Sequence, residues 1–148
     1  MKYAEMQHGR IFVLSLEPGE IIRDEVENFS KKQGIRYATV SVVGGVDKGS
    51  RLIVGPKYPI EDAIEPLTSD LDAPCEVIGF GTLFPDASGN PVLHMHGTAG
   101  RDGKSVTGCF RDGVIAWFVT EVVITELVGK GPVRKTDKDS GLEAMTIE

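Results

Sequence analysis

The chain is short of the residues that carry most metal and redox chemistry: its 148 residues include two cysteines and three histidines. Two cysteines exclude a disulfide-stapled scaffold. Cys75 follows Pro74 at an expected strand start and reads as a small buried residue rather than a ligand. A Cys75–Cys109 disulfide is disfavoured in a reducing compartment. No apolar run approaches the roughly 20 residues of a membrane span. Met1 to His8 lack the apolar stretch of a signal peptide, so cytoplasmic residence is expected. Cations are outnumbered, with 16 Lys and Arg against 22 Asp and Glu and a net charge of −6. Non-specific duplex binding rests on neutralising phosphates with cations, so this balance argues against it, although a local basic patch is compatible with any net charge.

What remains is an ordinary globular composition, 41% hydrophobic and 26% charged, of a length that fits one domain. Residues 10–17 read as a first strand, ended by Pro18-Gly19. Residues 20–33 read as an amphipathic helix, with Ile22, Val26 and Phe29 at helical spacing, acids at its start, Lys31-Lys32 at its end and Gly34 as its stop. Strands are expected at 35–43, closed by a Gly44-Gly45 turn or bulge, at 51–55, 63–69 and 75–84, and as a pair or one bent strand over 114–119 and 121–128. The fold class is therefore α+β, a mostly antiparallel sheet with one clear helix. From Gly129 onward hydrophobic periodicity is lost. The expected organisation is one domain over 1–128 and a polar tail over 129–148, flexible unless a neighbouring subunit holds it.

The most informative segment is Leu93-His94-Met95-His96, with Cys109 thirteen residues beyond. Asp102-Gly103 between them is a strong signal for a two-residue hairpin loop. With those residues as the loop, His96 faces Cys109, and His94 shares their face because strand side chains alternate. The opposite face carries Leu93, Met95, Val106 and Phe110, all apolar. A one-residue slip would send Cys109 to the core set. Two imidazoles and a thiol on one patch suit zinc. The bland alternative is a half-buried hairpin with two histidines on its wet side.

The ordered set of motifs resembles the "plants and prokaryotes conserved" (PPC) domain: Gly9 to Leu14, a Pro-Gly-Glu turn into a helix, Gly44-Gly45, Pro74 to Ile78, Leu-His-Met-His, Gly103 to Gly108, and Thr120 to Ile124. The resemblance covers about residues 9–128 and is most specific over 93–127. It implies an α+β fold, a homotrimer and a zinc-binding histidine cluster. His94 and His96 match that cluster, and Cys109 stands where the family has a third histidine. Thiolate is a good zinc ligand, so the substitution is chemically tolerated and makes a softer site. The family is often labelled DNA-binding, but in plant members that activity accompanies an Arg-Gly-Arg-Pro AT-hook, which this chain lacks.

Three protein ligands leave one position open, the arrangement of a catalytic rather than a structural zinc. Such a site could bind or turn over a small molecule. Glu121 is the first candidate for an accompanying acid or base, because it alternates with Trp117, Val119 and Val123 and burial raises a carboxyl pKa. Glu76 is the second; for both, a structural hydrogen bond or ion pair is the plainer role. His8 is not expected as a fourth ligand, and Trp117 suits the core or a trimer interface. The readings that remain are a zinc-binding trimer acting on a small molecule, a DNA-associated module, and a self-assembly scaffold with a vestigial site.

Overall fold

A computed structural model describes residues 1–58, 64–138 and 141–147. The chain runs β1 (Gln7–Leu16), α1 (Ile22–Gln33), β2 (Ala38–Val46), β3 (Arg51–Pro56), β4 (Pro66–Asp70), β5 (Cys75–Pro85), β6 (Pro91–Arg101), β7 (Lys104–Cys109), a 3-10 turn (Phe110–Asp112), β8 (Thr120–Val128), β9 (Val133–Thr136) and β10 (Glu143–Thr146). Among the described residues, β1 to β8 form one eight-stranded sheet in the order β1-β8-β2-β5-β6-β7-β3-β4, and β9 and β10 form a separate hairpin. Every pairing is antiparallel. The expected α+β class is the observed one. The first residue of the strand expected at 63–69, and Pro59 in the loop before it, lie outside the described residues.

The helix forms where the 3.6-residue period places it. Ile22, Val26 and Ser30 are buried, Asp24 and Glu25 lie in its first turn and Lys31 and Lys32 in its last, as the helix dipole favours. Gly34 has φ 67°, and the Ile35 N–H returns to the Ser30 carbonyl at 2.9 Å, which closes the helix in a Schellman turn. Its start has no side-chain cap. The backbone groups there are met instead by residues 114–116: Ile22 donates to Val114 O at 3.0 Å, and Ala116 donates to Glu20 O at 2.7 Å.

That contact corrects the strand expected at 114–119. The segment is extended at its start, but its hydrogen bonds go to the helix start and to the end of β2 through the bridges Ile21↔Ile115 and Val46↔Ala116. It then turns, with Val119 at φ 57°. Gly44-Gly45 likewise does not close β2, which continues to Val46. A Cβ on Gly44, at φ +128°, would lie 1.8 Å from the Val119 carbonyl oxygen. The two glycines admit another stretch of the chain's own backbone, a use of glycine in strands that sequence alone does not distinguish from a bulge.

One sheet face and α1 enclose the core, which includes Ile22, Val26, Val40, Val42, Met95, Phe110, Val122 and Ile124. The other face stays open in a single protomer and exposes Ile11, Val13, Val43, Ile78 and Phe80. The residues after Gly129, expected as a polar tail, include the β9–β10 hairpin. Arg134 of β9 is only 3% exposed. Residues 139, 140 and 148 of that segment lie outside the described residues.

Candidate metal centre

The hairpin folds in the expected register. Asp102 (φ 51°) and Gly103 (φ 73°) form the loop, and positive φ at both positions is the type I′ turn whose twist matches the strands. His96 pairs with Cys109, and Thr98 with Thr107. Leu93, Met95 and Phe110 are buried while His94 and His96 are not. Phe110 secures the end of β7: its ring packs over Gly97, where a Cβ would meet Phe110 Cζ at 2.5 Å. Burying a Phe contributes roughly 1.5–3 kcal/mol, so the chain is anchored one residue beyond Cys109.

His94, His96 and Cys109 converge, with ligand atoms all within 4.8 Å of one another. The two Nε2 atoms are 3.1 Å apart. Two nitrogens bound to one tetrahedral zinc at its usual bond length lie about 3.3 Å apart. The imidazoles thus already have a chelating spacing. Partial desolvation by the surrounding chain, followed by the charges of Arg134, His96 and Arg111, holds the solvent-reached His94 below the ordinary histidine pKa. A neutral imidazole is the form that ligates. Cys109 is a free thiol and buried, and Thr98 and Thr107 share a 2.8 Å hydroxyl contact on the same face.

The site owes its openness to a missing strand neighbour. β7 ends opposite His96, so residues 91–95 of β6 pair with β5 alone. Their unpaired edge is met by side chains. Glu27 of α1 accepts the Leu93 N–H at 2.9 Å and is itself held by Arg23 at 2.8 Å. Arg134 donates to Val92 O at 3.4 Å, to Thr82 O at 3.2 Å and to Thr82 Oγ1 at 3.0 Å, and its guanidinium lies 5.4 Å from the Phe84 ring centre. A cleft of about 510 Å³ opens beside His94, His96 and Cys109, walled by Ile53, Val54, Pro66 and Leu142 and reached by Arg111.

Other expected residues fall elsewhere. Glu121 is exposed in the protomer, because the apolar alternation around it belongs to the open sheet face. It lines a second cleft with His96 and Thr107. The row Glu121–Val43–Ile78–Thr98 separates it from β6 by three strand steps, about 14 Å at the usual spacing. Glu76 sits opposite Gly100, four residues and roughly 13 Å along β6 from His96. His8 lies on β1 at the far edge of the sheet, and Trp117 packs edge-on against Phe118. Cys75 is half-buried and its thiol contacts Ala73 O at 3.4 Å; burial raises its pKa. The sequence does not place Arg134 and Arg111 beside these residues; it offers Arg111 only as an ion-pair partner for Glu121 or Glu76. Arg134 carries no local signal, since it stands in a segment of mixed charge with no periodicity.

The Plants and Prokaryotes Conserved (PCC) domain model matches residues 3–128. Among solved structures, a metal-containing protein of Archaeoglobus fulgidus is 28% identical, with 99% of this chain and 100% of that one covered and a TM-score of 0.83. A plant- and prokaryote-conserved (PPC) protein of Pyrococcus horikoshii is 26% identical over 100% of this chain and 99% of that one, with a TM-score of 0.84. A candidate DNA-binding protein of Ralstonia eutropha JMP134 shares the fold at 16% identity, covering 92% and 90%, with a TM-score of 0.69. None of the curated proteins matches this chain. No helix among the described residues is long and apolar enough to cross a membrane.

Proposed function

Starting from the fact that the chain belongs to the Plants and Prokaryotes Conserved domain family, we propose that it is a zinc-binding protein whose metal site receives a small molecule. One observation carries the reading: the donor atoms of His94, His96 and Cys109 lie within 4.8 Å of one another at the mouth of a cleft. Two imidazoles and a thiolate are a donor set that zinc prefers over calcium or magnesium, which take oxygen ligands. When bound, zinc would supply a Lewis acid toward a carbonyl or phosphoryl oxygen. The protein's own part is to keep His94 neutral, to hold both imidazoles at chelating distance and to wall the cleft with apolar side chains.

The metal-containing Archaeoglobus protein supports the metal reading at 28% identity. Assembly is part of the proposal. Ile11, Val13, Val43, Ile78 and Phe80 form an exposed apolar sheet face, and large apolar patches on soluble proteins mark interaction surfaces. A homotrimer, as the family resemblance implies, would cover it. Glu121 acts as acid or base in this reading only where a neighbouring copy carries it to the metal, since three strand steps intervene within one protomer. Free thiols suit the reducing cytoplasm. DNA binding is the weaker reading at net charge −6.

Metal analysis of protein purified without chelator tests the proposal. One zinc per chain is expected in the wild type, with loss in His94→Ala and Cys109→Ser. Wild-type protein that carries no metal, and takes up none when offered zinc, overturns it.

A further inference from the structure

We propose that the ligand received beside His94, His96 and Cys109 is a small carboxylate with an apolar body, its charged end taken by Arg111. This rests on the metal reading above and names what that site is for.

Arg111 follows Cys109 by two residues, on the turn that Phe110 anchors, and its side chain lines the large cleft together with both histidines. The Arg111 carbonyl accepts a bond from Arg23 at 3.3 Å, which ties that turn to α1. Arg23 itself is neutralised by Glu27 at 2.8 Å. Arg111 differs: among the described residues, no carboxylate lies within ion-pair distance of it. The same holds for Arg134, buried behind His94, whose bonds go to the neutral oxygens of Thr82 and Val92. Glu143 lines the smaller recess shared with Arg134, Arg111 and His94, and its Oε1 accepts from Thr136 at 2.6 Å. A divalent ion and two guanidiniums outweigh one thiolate and one carboxylate. Arg134 is a buried cation with no carboxylate bound to it, which is costly, and the exposed Arg111 reaches the cleft with its charge unpaired among the described residues, so the pocket favours an anion.

The walls choose among anions. Ile53, Val54, Pro66 and Leu142 offer no hydrogen bonds to a fully ionised phosphate, but they pack on a short hydrocarbon. A planar guanidinium matches a carboxylate through two parallel bonds.

The test is an NMR titration of zinc-loaded protein with acetate, 2-methylpropanoate and 4-methylpentanoate. The neutral 2-methylpropanamide and inorganic phosphate serve as comparison probes. Metal content is measured on every sample. Saturable shifts at Thr107, Gly108 and Arg111 are expected with the branched carboxylates, more weakly with acetate, and not with the amide. Arg111→Met should keep its zinc and bind carboxylate at least tenfold more weakly, with Arg111→Lys between. Zinc-loaded wild type that binds none of the three carboxylates overturns the inference, as does phosphate binding tighter than every carboxylate, or Arg111→Met binding like wild type. Wild type that holds no zinc fails at the earlier step, the metal reading, and is told apart by the metal measurement.

Discussion

Replacing Cys109 by serine separates a metal ligand from a buried structural thiol. The side chain is 7% exposed and lies opposite His96. Serine is close in size, so the hairpin and the Phe110 anchor should survive, and the metal-free proteins should differ by about 1 kcal/mol at most, the scale of one imperfectly satisfied polar group. Zinc changes the comparison. A ligand present at a hundredfold over its dissociation constant stabilises the folded state by about 2.7 kcal/mol. At roughly 2–4 °C per kcal/mol for a chain of this size, the wild type should melt about 5–11 °C higher with zinc than without. If loss of the thiolate weakens binding a hundredfold, the same zinc concentration only half-fills the variant. The stabilisation then falls to about 0.4 kcal/mol, a shift of about 1 °C. Calorimetric melts of both proteins, with and without zinc at pH 7.5, read this directly. A zinc shift in Cys109→Ser equal to that of the wild type would refute Cys109 as a ligand.

The pH dependence has a definite sign. His94 is held below its ordinary pKa in the folded chain, so on acidification the unfolded chain takes up a proton before the folded one does. Metal-free stability should therefore fall as pH drops through the unfolded histidine value near 6.5, and the loss should shrink in His94→Gln; a pH-independent difference between the two across pH 5–8 contradicts the assignment. Zinc release should follow the same direction, since protons compete for the imidazoles. Gly44→Ala places a methyl 1.8 Å from Val119 O at φ +128°. Backbone strain and overlap together should cost about 3 kcal/mol or more, lowering the melting temperature by about 6–12 °C; an unchanged melt would mean that this crossing of backbones is not as described. Arg134→Met keeps the bulk over Phe84 but removes the bonds to Thr82 and Val92. Charged hydrogen bonds of roughly 1.5–3 kcal/mol each are set against relief of a buried charge, for a net loss of about 1–2 kcal/mol. The β9–β10 hairpin, whose Arg134 and Glu143 line one recess with Cys109, should then exchange amide hydrogens faster and Cys109 should react faster with thiol reagents; unchanged rates in both would mean that the Arg134 bonds do not hold the hairpin in place.

Period and turn chemistry made much of this fold legible in advance. The α1 pattern carries its own boundaries because Ile22 and Val26 fall on one face and Gly34 can adopt the left-handed closing turn. The same locality explains the site. Once Asp102-Gly103 makes a two-residue loop, strand alternation leaves His96 only one partner, and the chain places Cys109 there. The reading of 114–119 as a strand failed because a run of Val, Ile, Ala and Trp describes an extended chain without saying where its hydrogen bonds go. Here they go to the start of α1 and the end of β2. Glu121 is exposed rather than partly buried for a related reason: apolar alternation marks a face to be covered, and within one protomer that face is open.

The α+β class, the helix, the hairpin register and the convergence of His94, His96 and Cys109 on one face follow from residues close along the chain or joined by one tight turn. What surrounds those three residues depends on contacts between distant parts of the chain. Glu27 reaches Leu93 across 66 residues and Arg134 reaches Val92 across 42. Those side chains arrive because β7 stops at Cys109 and leaves the β6 edge unpaired, and backbone groups so exposed draw in whatever partners the packed chain brings near. No local pattern encodes that arrival, so the shared face of His94, His96 and Cys109 was legible in the sequence while the charge and shape of the pocket around them were not.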